Sequence, residues 1–449
     1  MARDRRLDLQ GLSETALRAA TKLGVDDAVA LAAKSSERMV RFANNSVTVS
    51  KTVDETELTV YIAKEGRRAI ASTSNPSEGS VRSFVLDLFS SLKGLQRTDY
   101  AHLPERGSRF RASGESYDRK IVGAGGELAD FARMAIDSSL KAGAKRSAGI
   151  VSADVVEYSI LASNGTSGVD RRASIELNIR SFADGDASGH GLSCSATLSG
   201  FRPAEAGERA GEDARRMVNA IQPEPGEYRV LMSPTVASNL IGSVSNSASA
   251  FAVEAGLSYL AERVGRKVAS ESVTVIDHGT VSGCLGGRSF DDEGMKTGTT
   301  RIIERGELKT YLHNLTTAKR WKTSTTGNAG IVSPHPWNIE VMPGDSSFDE
   351  MVKEMKHGIV LTSNWYTRFK NYRTGEFSTV PRDGAFLVEG GNLARPLKGM
   401  RVSDDLLRLF SSVGLLSRER SWIHWWEVDT PTLCPWLLAD GVRITRAYD

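Results

Sequence analysis

Cysteine is nearly missing from this sequence. Cys194, Cys284 and Cys434 are the three in 449 residues, and no two form a Cys-x-x-Cys pair. So few, so dispersed, exclude a disulfide framework and lead us to expect a reducing compartment. Proline is scarce, 13 residues against 42 glycines, which disfavours long proline-rich linkers and suits tight turns. No run approaches the ~20 apolar residues of a membrane span. Charge of one sign is not in excess either. Lys and Arg total 57, Asp and Glu 55, for a net charge of +2, which argues against a dedicated nucleic-acid binder. The seven histidines are far apart; the nearest neighbours, His313, His335 and His357, are separated by many helical turns. A contiguous His-Glu-x-x-His zinc helix is therefore excluded. The start, MARDRRLDLQ, is charged and no apolar stretch follows it. No secretory signal is expected, the sequons at Asn44, Asn164 and Asn314 read as chance matches, and the expected location is cytoplasmic.

The length suits two or three domains. With 40% apolar and 25% charged residues, the chain can bury a core and remain soluble. Residues 12–24 have a helical apolar face (Ala16, Ala20, Leu23) stopped by Gly24. Residues 37–73 then alternate apolar and polar positions around Asn44-Asn45, Asp54-Glu55 and Glu65-Gly66, which predicts a four-strand antiparallel meander. Helical period returns at 79–94. A polar stretch, 97–120, reads as a linker or a long surface loop. Helices are predicted over 126–143 and 209–221, on either side of a second meander with turns at Asn164-Gly165 and Asp184-Gly185. After 226, short strands alternate with glycine turns, and a last helix, 403–413, is expected to start at Ser403 with Asp404 and Asp405 in its first turn. The reading is an α+β fold. Helix-plus-antiparallel-meander domains are expected over 1–100 and 125–224, joined through 101–124, ahead of a large β-rich domain over 225–449.

Composition and spacing alone reveal no catalytic constellation. There is no Gly-x-Ser-x-Gly elbow, no Walker loop, and Gly123-Ala124-Gly125-Gly126 lacks the last glycine of a dinucleotide fingerprint. A lone cysteine with a distant histidine could be a nucleophile, or the cysteines could be small buried hydrophobes. Lys319-Arg320-Trp321-Lys322 and the Arg368–Arg373 run could hold nucleic acid or be solvated strand faces. The acidic turn Phe290-Asp291-Asp292-Glu293-Gly294 lacks the spaced ligands of a calcium loop. Trp422, Trp425, Trp426 and Trp436 crowd around His424, as an interface anchor or a core cluster.

Several segments nonetheless resemble one known family. Residues 290–330, FDDEGMKTGTTRIIERGELKTYLHNLTTAKRWKTSTTGNAG, are similar to the TldD/PmbA (TldE) family's acidic DDEG turn, hairpin, "YL" strand, helix and "STGN" segment. Asn371–Ser378 resembles its "N-x-x-TG-D/E-FS" segment. Val388-Glu389-Gly390-Gly391, Pro396-Leu397-Lys398-Gly399 and the early RFANNSVTVSK continue the likeness in the right order.

The resemblance implies a C-terminal domain of the TldD/PmbA type and cytosolic, zinc-dependent peptide hydrolysis by a pair of homologous subunits. In that pair the TldD-type chain carries His-Glu-x-x-x-His on a helix after a "SP" turn, with a later cysteine as third ligand. Here the turn corresponds to Ser233-Pro234, and the motif positions fall on Gly242, Ser243 and Ser247. Glycine offers no ligand, serine is a poor one, and Ser243 cannot act as the general base. Cys434 follows the segment that the family's cysteine precedes. The expectation is a TldE/PmbA-like subunit with no catalytic residue or metal of its own, zinc residing in a TldD-type partner. The alternatives are a metal-free homodimer that binds peptides or proteins, a modulator of DNA gyrase, and a hydrolase in which His278, His313 and Cys284 converge. Candidate substrate-binding residues are Asp291, Glu293, Tyr311, His313, Asn328, Asn371 and Ser378.

Overall fold

The computed structural model describes residues 8–446 apart from 113, 115 and 331. The charged start at residues 1–7 and parts of the 97–120 stretch thus lie outside the described residues.

Helix α1 (Leu9–Lys22) is capped by Asp8, whose carboxylate accepts the Gly11 amide. It leads into β1 (Asp27–Ala43), β2 (Ser46–Lys64) and β3 (Arg67–Ser74). Turns form at Asn44-Asn45 and Glu65-Gly66 as expected; none forms at Asp54-Glu55. There β2 runs straight on, because Val53, Asp54 and Glu55 stay in register with Glu37, Ser36 and Ser35 of β1. Two charged side chains in succession do not turn a strand whose ladder remains intact.

Helix α2 (Glu78–Ser91), β4 (Arg109–Phe110), α3 (Arg119–Gly123) and α4 (Leu128–Lys141) follow. The second meander is β5 (Arg146–Ala162), β6 (Ser167–Phe182) and β7 (Ser188–Ser195), closed by α5 (Pro203–Arg216). The predicted 209–221 helix is real but begins six residues earlier, at the N1 proline. The two meanders were expected in separate domains. They instead share one seven-stranded sheet in the order β3-β2-β1-β5-β6, with β4 and β7 both on β6, because β1 and β5 pair antiparallel from Val29↔Ala162 to Phe42↔Gly149. Nor is 101–124 a loose linker. It carries β4, α3 and the buried Ile121 and Ala124.

The C-terminal half begins with β8 (Gly226–Met232), α6 (Pro234–Ser247) and α7 (Ala250–Glu254), then β9 (Val275–His278), β10 (Thr299–Glu304), β11 (Glu307–Leu308), α8 (Leu315–Trp321), β12 (Ile339–Val341) and α9 (Phe348–Met355). It ends with β13 (Gly358–Leu361), β14 (Asn364–Asn371), β15 (Glu376–Pro381), β16 (Ala385–Glu389), β17 (Asn392–Pro396), β18 (Met400–Asp405), α10 (Leu406–Ser411), β19 (Val413–Trp425) and β20 (Val428–Arg446). Thirteen strands form one mixed sheet, with β20 pairing β8, β12, β18 and β19. The last helix is shorter than predicted. Ser403 and Asp404 belong to β18, and Asp405 is the N-cap, accepting the Arg408 amide. The fold is α+β. Its largest core joins α6 to one face of the central strands through Val236, Leu240, Ile241, Ile339, Ile359 and Leu437, while Leu231, Val360 and Leu438 pack a second core on the other face.

Candidate functional site

Helix α6 carries the positions that the resemblance singled out. Ser233 caps it by accepting the Val236 amide, and Pro234 occupies the first turn. Leu240, Ile241 and Val244 are buried in the core. On its other side Gly242, Ser243 and Asn246 line a cavity of 320 Å³ whose far wall is the tip of the β19–β20 hairpin, Trp426 to Thr430, with Arg368 at the edge. Asn239 Nδ2 donates to the Glu427 carbonyl at 2.6 Å, and the Tyr366 amide donates to Glu427 Oε1 at 3.0 Å, so hairpin tip, helix and β14 are held together. A Cβ added at Gly242 meets nothing within 4 Å. This wall offers hydroxyls, amides and two carboxylates (Glu427, Asp429), but neither imidazole nor thiol. It does not fit a zinc ion. Among the described residues no group of three or more His, Cys, Asp and Glu side chains could hold a metal.

Asn246, Asp429 and Thr430 also line a second cavity, of 560 Å³, so the two adjoin. Its floor is the open face of the seven-stranded sheet: Asp154, Val156 and Tyr158 on β5, and Arg172, Ser174 and Glu176 on β6. The strand period of two puts these on one face. Arg288, His335, Trp337 and His424 complete it. His424 Nδ1 is bonded to Glu176. Burial lowers the pKa of that imidazole, but the hydrogen bond and charge of Glu176 outweigh it and hold the ring above its ordinary value. Burial, with the charges of Glu176 and Glu37, pushes the Asp154 carboxyl up to about 7.

The sequence-predicted residues lie elsewhere. Asp291 is fully buried; its oxygens accept the amides of Glu293 (3.0 Å), Met295 (2.8 Å) and Ala329 (3.0 Å). Glu293 accepts the Leu315 amide at 2.8 Å and lines a 50 Å³ pocket against β1 and β2. Burial lifts the carboxyls of Asp291 and Glu293 to about 7 and about 8. Tyr311 donates its hydroxyl to the Leu260 carbonyl, and the buried His313 bonds Thr317 through Nδ1. Asn328 donates to Asp277 Oδ2 at 2.6 Å. These five share the loops around α8. Asn371 and Ser378 sit apart on the β14–β15 hairpin, Asn371 accepting the Arg373 amide and Ser378 the Arg401 guanidinium. Six of the seven line neither large cavity nor the small one; each holds backbone or a neighbouring side chain. The residues that do line the 560 Å³ cavity carry a signal in the sequence: charged side chains at 154, 172 and 176 fall on one face of long alternating strands.

The other candidates resolve plainly. All three cysteines are buried; burial pushes the thiols of Cys194 and Cys434 far up, the latter to about 12, which suppresses the thiolate a nucleophile needs. His278 bonds Glu340 and Thr299, Cys284 bonds Ser116, and neither bonds His313. Lys319 pairs with Asp99 and Arg320 with Glu254, which neutralises two of the three cations in that basic cluster. Of the tryptophans, Trp425 is buried against Trp365 and His190, whereas Trp426 is 60% exposed at the rim of the α6 cavity.

A seven-stranded sheet and a thirteen-stranded mixed sheet, with a helix after a Ser-Pro turn beside the cavities, define an α+β fold. The family model described as "PmbA/TldA metallopeptidase C-terminal domain" matches residues 225–446, and "PmbA/TldA metallopeptidase domain 1" matches 28–91. The chain belongs to the PmbA/TldD metallopeptidase family. A metalloprotease of Methanocaldococcus jannaschii is 34% identical over 216 residues, 46% of this chain and 47% of the relative; the match spans about half the length of such curated relatives. TldE from Thermococcus kodakarensis superposes with a TM-score of 0.84 at 18% identity, covering 97% of this chain and 100% of that one. A Thermotoga maritima protein described as a candidate modulator of a DNA gyrase does so at 0.81 and 24%, covering 97% and 99%. At these identities the two structures establish the fold. No described helix is long and apolar enough to cross a membrane.

Proposed function

We propose that this chain is a non-catalytic, TldE/PmbA-type subunit of a two-chain zinc peptidase, and that it supplies a substrate-binding wall to a partner of TldD type which carries the zinc. The observation that carries the reading is the α6 wall. Where the resemblance puts two imidazoles and a carboxylate, Gly242, Ser243 and Ser247 leave only hydroxyls and open space. A helix that faces a cavity without a ligand set can still bound a chamber. The adjoining 560 Å³ space is wide enough for an extended peptide. The name of the Thermococcus neighbour supports the same assignment, and a cytoplasmic location accords with three buried, unpaired cysteines.

The test is reconstitution. Alone and supplied with zinc, the chain is expected to leave unstructured peptides intact; mixed with a homologue bearing His-Glu-x-x-x-His, it is expected to co-elute and to raise cleavage. Equal cleavage by the chain alone and by the mixture would overturn the reading. A metal-free homodimer remains as the second outcome, and it predicts self-association with no homologue bound.

A further inference from the structure

The 560 Å³ cavity is built with its charges sorted along β5. At one end Asp154 faces Glu37 directly across the β1–β5 ladder, with Glu176 one pair diagonally away on β6. Like charges set opposite each other on a sheet are unfavourable. Glu176 is relieved by His424; among the described residues Asp154 has neither a hydrogen bond nor an ion pair within 4 Å to a protein cation. At the other end two guanidiniums approach the Tyr158 ring, that of Arg172 at 5.7 Å and that of Arg288 at 4.7 Å. Arg172, registered opposite Val156, is one pair on from Asp154, and among the described residues it forms no ion pair with a carboxylate. Arg288 is 6% exposed and gives one edge to Asp292 at 2.8 Å, yet its Nε and Nη2 find no acceptor. A cavity floored by a carboxylate and a guanidinium that form no pair with each other, and backed by a second guanidinium only partly satisfied by Asp292, suits a partner that bears both charges.

From this arrangement we infer that the cavity binds a short peptide with both termini free, its ammonium at Asp154 and its carboxylate at Arg172, where Arg288 adds positive potential from behind. The spacing sets the length. Successive residues on the same strand face are about 7 Å apart, so the acidic and basic ends are separated by roughly one to two such steps. An extended chain advances about 3.5 Å per residue, so about two to four residues span the gap. Tyr158 and Trp337 offer flat walls to the side chains between. The inference deepens the peptide-handling reading given above and rests on it for the nature of the ligand. It adds that this subunit, without its zinc partner, selects free short peptides over the interior of a longer chain.

Calorimetric titration of the intact chain with four peptides tests it: tetra-alanine with free ends, N-acetylated, C-amidated, and capped at both ends. The free peptide is expected to bind, and each cap to weaken binding about tenfold, the loss of one charge-assisted contact in a half-buried site. In Asp154→Asn the acetyl cap is expected to lose its effect while the amide cap keeps its own; Arg172→Gln is expected to do the reverse. Absence of binding by the free peptide, or binding indifferent to capping, would overturn the inference, and the peptide series does so on the wild-type chain even if a variant fails to fold. Such a result leaves the reconstitution experiment standing. Conversely, cap-sensitive binding with no homologue ever captured would remove the two-chain reading and keep this one.

Discussion

Arg180 Nε donates to Asp383 Oδ1 at 2.7 Å, and this bond crosses from the seven-stranded sheet to the thirteen-stranded one. Ser188 on β7 donates to the same oxygen, and His190 Nδ1 meets Ser363 at 2.9 Å nearby. The two halves are thus clamped through buried polar groups. Asp383 is 2% exposed, so its loss leaves the partly buried Arg180 guanidinium without its carboxylate. Asp383→Ala is expected to cost about 3 kcal/mol, the usual consequence of removing one member of a buried pair. Asp383→Asn keeps the acceptor oxygen and is expected to cost less. Urea unfolding followed by tryptophan fluorescence measures both. An alanine variant as stable as wild type would mean that apolar contacts alone join the halves.

Asp154 makes stability depend on pH in a specific direction. Its carboxyl, in the folded chain, is pushed up to about 7, first by burial and then by Glu176 and Glu37, with Arg172 and His424 opposing. The unfolded value is near 4. Between about pH 4 and 7 the folded chain keeps a proton that the unfolded chain gives up, so the contribution of this group to stability is lost as pH rises through that window. Asp154→Asn removes the penalty. We expect the variant to melt a few degrees above wild type at pH 8 and to coincide with it at pH 4, as read by calorimetry. A difference of equal size at both pH values would assign the effect to packing instead of charge.

What was legible in the sequence was whatever local pattern decides. The Asn44-Asn45, Asn164-Gly165 and Asp184-Gly185 turns, the α1 and α4 stripes and the α+β class all follow from period and punctuation. What was hidden depends on contacts far apart in the chain. Nothing local says that β1 pairs β5, more than a hundred residues on, and merges two meanders into one sheet. Asp54-Glu55 looked like a turn because the intact ladder that keeps it straight cannot be seen from the residues alone. The large cavity was hidden for a related reason. Asp291 and Asn328 stood out because motifs do, yet their side chains hold backbone and a buried carboxylate, while the cavity is made by unremarked residues such as Asp154 and Arg172.

The same limit applies to glycines on helices, where intrinsic propensity and packing oppose each other. Replacing a mid-helix glycine by alanine favours the helix by about 1 kcal/mol. At Gly207 on α5 the added Cβ would stand 2.1 Å from the Ala135 carbonyl of α4, and at Gly211 it would stand 2.3 Å from that of Ser139. The helices approach closely only because both residues lack a side chain. Gly207→Ala is therefore expected to destabilise by about 2 kcal/mol through overpacking. Gly242→Ala on α6, with nothing within 4 Å, is expected to stabilise by up to about 1 kcal/mol. Opposite signs in denaturant midpoints are the expected outcome; equal signs would show that one of the two environments is misjudged.

The open space at Gly242 also allows the metal question to be put to the protein directly. If α6 occupies the place of the family's zinc helix, Gly242→His, Ser243→Glu and Ser247→His together restore its motif on α6, where Gly242 and Ser243 line a cavity with the Glu427 and Asp429 carboxylates. Two imidazoles and a carboxylate suffice for a zinc site with an open position. After dialysis against zinc and then buffer, the triple variant is expected to retain close to one equivalent of metal and the wild-type chain none, by elemental analysis. The metal should also raise the melting temperature of the variant alone, because it binds only the folded helix. Zinc retained by the wild-type chain would place a ligand set where neither imidazole nor thiol lines the cavity and would remove the non-catalytic assignment. A variant that folds but takes up no zinc would shift the motif off these three positions, and with it the register on which the α6 argument depends.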